Sequence, residues 1–258
     1  MRSHISFSEM KIWDECPYKH KLVYKDKIKQ FLGNEYTAFG TAIHHVCEQA
    51  VVNDKVDMHA EFNVKFLEEL KLLTEKKVEL KKDLVSDMRV QGKNLLKYIL
   101  PALKTNFSNF EVVSVEEELF LPMNDTNIKF KGFIDLVIKT DDGKYHVIDW
   151  KTCSWGWDSK KKADRIISYQ ITLYKKFFAL KHNIDPKNIE THFALLKRTA
   201  KSNNVEIFRV TSGPKKTDNA FNLLNKAVYN ISRNNHVKNR LSCTSGYGCE
   251  FYKTVHCR

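Results

Sequence analysis

Apolar residues change their spacing twice along the 258 residues of this chain. As far as about residue 105 they recur every three or four positions, the period of a helix with one buried face. Residues 8–31 predict a first helix, with Met10, Trp13, Tyr18, Leu22 and Val23 on a ragged apolar face. Gly40 opens a second helix, TAIHHVCEQAVV. A lysine-rich helical insert follows over residues 56–105, through EFNVKFLEELKLLTEKK and DLVSDMRVQGKNLLKYILPALK. Its charged faces suit either solvated helix surface or the wall of a basic channel.

Beyond residue 110 the period becomes two, the signature of strands. EVVSVEEELFLPM, NIKFKGFIDLVIKT and KYHVIDWKT read as three strands in succession. A helix, DRIISYQITLYKKFFALK, separates them from two more, ETHFALLKRT and NVEIFRVTS, joined by the polar turn AKSNN. A last helix, NAFNLLNKAVYNISRN, leads into a cysteine-bearing tail over residues 240–258. Strands grouped centrally among helices predict an α/β fold around a mixed sheet, and the chain length suits a single domain over residues 1–258.

Composition narrows the class. Hydrophobic residues make up 42%, with 9 Gly and 5 Pro, which predicts an ordered globular chain. Lys and Arg number 43 against 31 Asp and Glu, a net charge of +12 that favours a polyanionic partner, nucleic acid before an anionic membrane. The opening MRSHISFSEMKIWDEC lacks the apolar run of a signal peptide, and no stretch approaches a membrane span. A cytoplasmic protein is expected, with no membrane partner. Its six cysteines are then not a disulfide framework.

The candidate chemistry starts at VIDWKT, where Asp149 and Lys151 sit among Val147, Ile148 and Trp150. Charges in such a run are costly without a partner or a task. The preceding strand reaches this one through Asp141-Asp142-Gly143, a strong hairpin signal. If those three residues form the loop, Thr140 faces Lys144 and Asp135 comes opposite Asp149. A two-residue turn would instead send the two acids to opposite faces. Lys151 shares the face of Asp149. Two carboxylates and a lysine on one sheet face suit a hard cation such as Mg²⁺ or Mn²⁺, whereas D-x-K alone is also an ordinary solvated ion pair.

Five short patterns then occur in order: S-x-S-x(7)-C-P at Ser6, Ser8, Cys16 and Pro17; G-x-x-x-H at Gly40 and His44; G-x-x-D at Gly132 and Asp135; D-x-K at Asp149 and Lys151; and Q-x-x-x-Y at Gln170 and Tyr174. Each is weak alone. Together they resemble the RecB-like branch of the PD-(D/E)XK nucleases. The resemblance implies a restriction-endonuclease-like core with a central mixed β-sheet flanked by helices, and phosphodiester hydrolysis leaving a 5′-phosphate and a 3′-hydroxyl. It implies that His44, Asp135, Asp149 and the backbone carbonyl of Trp150 hold Mg²⁺ or Mn²⁺. Lys151 would orient the attacking water, and Gln170 and Tyr174, on one helical face, would flank the site. His45 competes with His44 and is set aside only by the glycine spacing; Glu48, one turn on, is either a supporting partner or helix surface.

Members of that branch similar to AddB and to the CRISPR-associated exonucleases carry a [4Fe–4S] cluster, with one cysteine near the start and three near the end. Cys16, Cys243, Cys249 and Cys257 have that distribution, although the tail reads C-x5-C-x7-C rather than the commoner C-x2-C-x5-C. Four thiolates suit an iron–sulfur cluster or Zn²⁺, and ordinary thiols are the remaining alternative. Cys47 and Cys153 fit a core role. The function expected is a DNA exonuclease acting on single strands or DNA ends in phage DNA metabolism, recombination or repair, with a helicase or recombination protein as a possible partner. The alternatives are a structure-selective endonuclease and a non-catalytic DNA-binding clamp.

Overall fold

The computed structural model describes residues 3–28, 31–123, 127–246 and 248–258. The helical and strand elements are β1 (His4–Ser6), α1 (Phe7–Glu15), α2 (Pro17–His20), α3 (Glu35–Val52), α4 (Met58–Glu75), α5 (Lys82–Leu96), α6 (Ile99–Phe107), β2 (Phe110–Pro122), β3 (Lys129–Thr140), β4 (Tyr145–Cys153), α7 (Ser159–Lys162), α8 (Arg165–His182), β5 (Ile189–Lys197), β6 (Val205–Val210) and α9 (Pro214–Ser232). They fall into two compact units. One comprises residues 1–31, 119–132 and 213–258, and the other residues 32–118 and 133–212.

In the first unit β1 runs parallel to the start of β3, with Ile5 opposite Phe130. Ser6 caps α1 by accepting from the Glu9 backbone N–H at 3.2 Å. The single helix expected over residues 8–31 is corrected here. Cys16 is extended and divides α1 from α2, because Pro17 disfavours helical geometry in the residue before it and suits the first position of the helix after it. A π-helical turn at Lys21–Lys25 follows α2, and residues 29 and 30 lie outside the described residues.

The second unit holds the central mixed sheet. β3 pairs antiparallel with β4, β4 parallel with β5, and β5 antiparallel with β6. Side chains alternate between the two faces. On one face Leu136, Ile138, Ile148, Trp150, Ala194 and Leu196 join the buried residues of α3 to α6. The expected insert thus contributes to the core, through Phe62 and Phe66 of α4, Met88 of α5 and Leu103 of α6. Helix α8 lies against β4 and β5 with Ile171, Leu173, Tyr174, Phe177 and Phe178 buried.

The start of α3 also differs from expectation. The helix begins at Glu35, where Asn34 forms a reciprocal cap with Thr37. Gly40 is therefore an interior residue. A Cβ there would stand 3.3 Å from Thr152 Oγ1, so the missing side chain lets α3 lie close to β4.

Candidate functional site

The β3–β4 hairpin takes the register that sets the acids opposite each other. Leu136 pairs with Ile148 and Lys139 with Tyr145, while the Thr140 N–H donates to the Lys144 carbonyl at 3.0 Å. Gly143 closes the loop with φ of +77°, a conformation costly for a residue with a side chain. Continued one step past Leu136, this register brings Asp135 across from Asp149. Here the ladder gives way to side-chain contacts, because Asp135 Oδ2 accepts from the backbone N–H of Trp150 at 2.7 Å. A carboxylate has taken the place of a ladder carbonyl.

Asp135 and Asp149 are buried, at 9% and 2% exposure, and Trp150 is wholly so. Lys151 Nζ lies 2.7 Å from Asp149 Oδ2 with 28% of its side chain exposed. The close pair expected of D-x-K is present, at the rim of a buried acid cluster. His44 reaches the cluster from α3, its Nδ1 3.7 Å from Asp135 Oδ2. The neighbouring His45 points elsewhere, 3.7 Å from Glu61 on α4. Two adjacent histidines on a helix stand about 100° apart, so only one can face the sheet.

Burial pushes the Asp135 carboxyl well above the usual carboxylate range, and the charge of Asp149 adds to the effect against the opposing pull of Lys151 and the Trp150 N–H. Burial also pushes His44 down to about 4, although Asp149 and the Trp150 backbone carbonyl draw it back up. His44 is consequently a neutral imidazole near neutral pH, the form that can donate a lone pair. Tyr174 is raised by burial first and by Asp149 next, and its hydroxyl accepts from Gln170 Nε2 at 3.2 Å. Gln170 and Tyr174 thus act as one bonded pair on α8, with Tyr174 held close to both acids.

Glu116 was not singled out by sequence. It stands on β2 with φ of +46°, outside regular strand geometry, and its charge bears on both Asp135 and Tyr174. Glu48 bonds to it. Burial first, then the charge and hydrogen bond of Glu116, raise Glu48 to about 8, so Glu48 keeps its proton near neutral pH. The run EEE at residues 116–118 offers no periodic cue to which glutamate does this.

The residue set fits a hard divalent cation. Asp149 Oδ2 is buried and accepts no well-aligned hydrogen bond from the described residues, despite the ammonium beside it. Two carboxylates and a nearby carbonyl are oxygen donors of the kind such an ion takes, and the neutral imidazole stands beside them.

In the first unit, Cys16, Cys243, Cys249 and Cys257 line one small cavity together with Phe251 and Leu22. Cys16 Sγ accepts from the Asn239 N–H at 3.3 Å, and the Cys249 N–H donates to the Cys243 carbonyl at 2.9 Å. Among the described residues no three of the sulfurs come within 4.8 Å of one another. Cys47 is fully buried in the core of the second unit, as expected.

No helix among the described residues is long and apolar enough to cross a membrane. A family-wide sequence profile described as PD-(D/E)XK nuclease superfamily matches residues 4–253. No curated protein is similar enough in sequence to count as a relative. Among solved structures, the chain is similar to a protein from Eubacterium rectale titled "putative exonuclease", with 11% identity, 94% of this chain and 86% of that chain covered, and a TM-score of 0.61. At that identity the likeness speaks for the fold alone. A second solved structure, SSO0001, aligns over 75% of this chain and 86% of that one at 14% identity with a TM-score of 0.36, and carries no argument.

Proposed function

The chain belongs to the PD-(D/E)XK nuclease superfamily, with its restriction-endonuclease-like mixed sheet, and on that premise we propose that it is a Mg²⁺- or Mn²⁺-dependent DNA exonuclease acting on single strands or DNA ends. The observation that carries this reading is the gathering of Asp135, Asp149, Lys151 and His44 where β3 and β4 part.

His44, Asp135, Asp149 and the Trp150 carbonyl are the groups that would hold the cation. Once bound, it lowers the pKa of a water and offsets charge growing on the phosphate. The chain's own residues do the rest. The Trp150 N–H fixes the orientation of the Asp135 carboxylate. Lys151, anchored by Asp149 yet partly exposed, offers Nζ–H donors to the incoming water and to a phosphate oxygen. Gln170 and Tyr174 form the wall against which the substrate is positioned. Downstream of β4, the lysines of α7 and the exposed Trp155 give the same unit a basic and aromatic segment, a combination suited to backbone phosphates and unstacked bases.

In the same reading the four cysteines of the first unit hold a [4Fe–4S] cluster, supported by their common cavity; Zn²⁺ is the alternative. The setting it suits is cytoplasmic, in phage DNA metabolism or in recombination and repair beside a helicase or recombination protein.

The test is cleavage of end-labelled linear DNA, single- and double-stranded, against circular DNA of the same sequence with Mg²⁺ or Mn²⁺. Degradation of linear DNA only, lost in Asp149→Asn, is the expected result. Nicking of circles would replace the exonuclease with an endonuclease. Binding without metal-dependent cleavage of any substrate would leave a non-catalytic clamp.

A further inference from the structure

A second constellation lies on the opposite face of the central sheet. Alternation places His146 on the other side of β4 from Asp149. The parallel register sets His146 beside Glu190 and Ile148 beside His192, so His146, Glu190 and His192 converge on that face. His146 Nδ1 and His192 Nε2 are 3.1 Å apart. Glu190 Oε2 stands 4.0 Å from the first and 3.8 Å from the second.

The surroundings point the donors inward. The Thr140 hydroxyl gives its one proton to Asp142 Oδ1 at 2.5 Å, so at its 3.0 Å contact with His146 Nε2 it must accept. His146 is thereby held in the Nε2–H tautomer with its Nδ1 lone pair facing His192, as an outer carboxylate commonly arranges for a metal-bound histidine. Glu190 divides its oxygens: Oε1 faces Lys144 at 3.7 Å and Arg209 at 3.4 Å, leaving Oε2 toward the imidazoles. Both histidines are buried, and the Phe107 ring packs at 4.9 Å and 5.1 Å from theirs. Burial lowers the pKa of each, so both are neutral near pH 7.

From this convergence we propose that His146, Glu190 and His192 form a binding site for a transition-metal cation of the Zn²⁺ class, separate from the nuclease centre. Tetrahedral Zn–N bonds of about 2.0–2.1 Å require nitrogens about 3.3–3.4 Å apart, close to the separation of the two imidazoles. Two imidazoles and one carboxylate leave a fourth position free, and His146 and Glu190 border a cleft of about 410 Å³ from which water or a small ligand can fill it. The ion replaces the proton that otherwise bridges the two nitrogens, and His192 carries its proton on Nδ1 instead. It ties β4 to β5 beside the hairpin loop. Mg²⁺ is disfavoured there, because that ion prefers an octahedron of oxygens.

The probe is Co²⁺ titrated into the purified Asp149→Asn protein, in which the nuclease centre has lost a carboxylate. One equivalent should bind with the intense visible bands of a four-coordinate nitrogen and oxygen site and without sulfur-to-cobalt charge transfer, and Zn²⁺ should displace it. Adding His192→Gln should weaken binding by about 100-fold or more and abolish those bands. Glu190→Gln, which keeps the size of the side chain, should weaken binding while circular dichroism and melting show an intact fold. Bands that persist in both added variants, bands of thiolate character, or no four-coordinate spectrum at stoichiometric Co²⁺ would each overturn the proposal.

Discussion

The backbone N–H of Trp150 donates to the carboxylate of Asp135 across 2.7 Å, at the point where the β3–β4 ladder stops. An acid of the proposed cation site is thus also a structural acceptor for a buried donor. Asp135→Asn keeps an acceptor there and Asp135→Ala does not. Both variants should lose cleavage by about 1,000-fold or more. In EDTA only the alanine form should lose stability, by about 1–3 kcal/mol, for an orphaned amide. Urea unfolding beside the cleavage assay separates the two effects; equal stability of the pair would count against the hydrogen bond.

Lys151 is expected to act on the reaction rather than on DNA affinity. Lys151→Met should lower kcat by about 100- to 1,000-fold with KM changed little. Single-turnover cleavage at saturating DNA is the measurement, and a purely KM effect would reassign the residue to binding.

The Glu48–Glu116 pair gives the metal-free protein a pH signature. Because Glu48 titrates near 8 when folded and near 4.5 when unfolded, the folded state holds an extra proton between those values. Its contribution to stability is therefore fully present below about 4.5 and is lost as pH rises through 8. Melting temperatures in EDTA between pH 5 and 8.5 should fall more steeply for the wild type than for Glu48→Gln. Parallel curves would show that Glu48 holds no extra proton in the folded state.

At the cysteine cavity, anaerobically purified protein should be brown, with broad visible absorption that reductant bleaches. Cys249→Ser should remove the colour and the iron and lower the melting temperature. Colourless protein loaded with zinc would favour the alternative metal.

The capping pair of α3 can be tested away from the chemistry. Asn34→Ala removes an acceptor for the Thr37 N–H and should destabilise the fold by about 1 kcal/mol, while cleavage per folded molecule stays unchanged. A loss of activity without loss of stability would mean that the start of α3 positions His44.

The sequence by itself determined what depends on near neighbours. The switch of apolar period located the strands and most helices, because each element must bury one face. The Asp-Asp-Gly loop placed the hairpin and narrowed it to two registers, and the structure took the one that sets Asp135 across from Asp149. Gly40 could be recognised as significant, but its place inside α3 and its approach to Thr152 depended on a capping pair six residues earlier. Tertiary structure alone decided the rest. It brought Glu116 to the acids and set His146 and His192 3.1 Å apart. Groups that meet across long stretches of chain leave no local pattern, because their contact is fixed by how faces pack and not by spacing along the backbone.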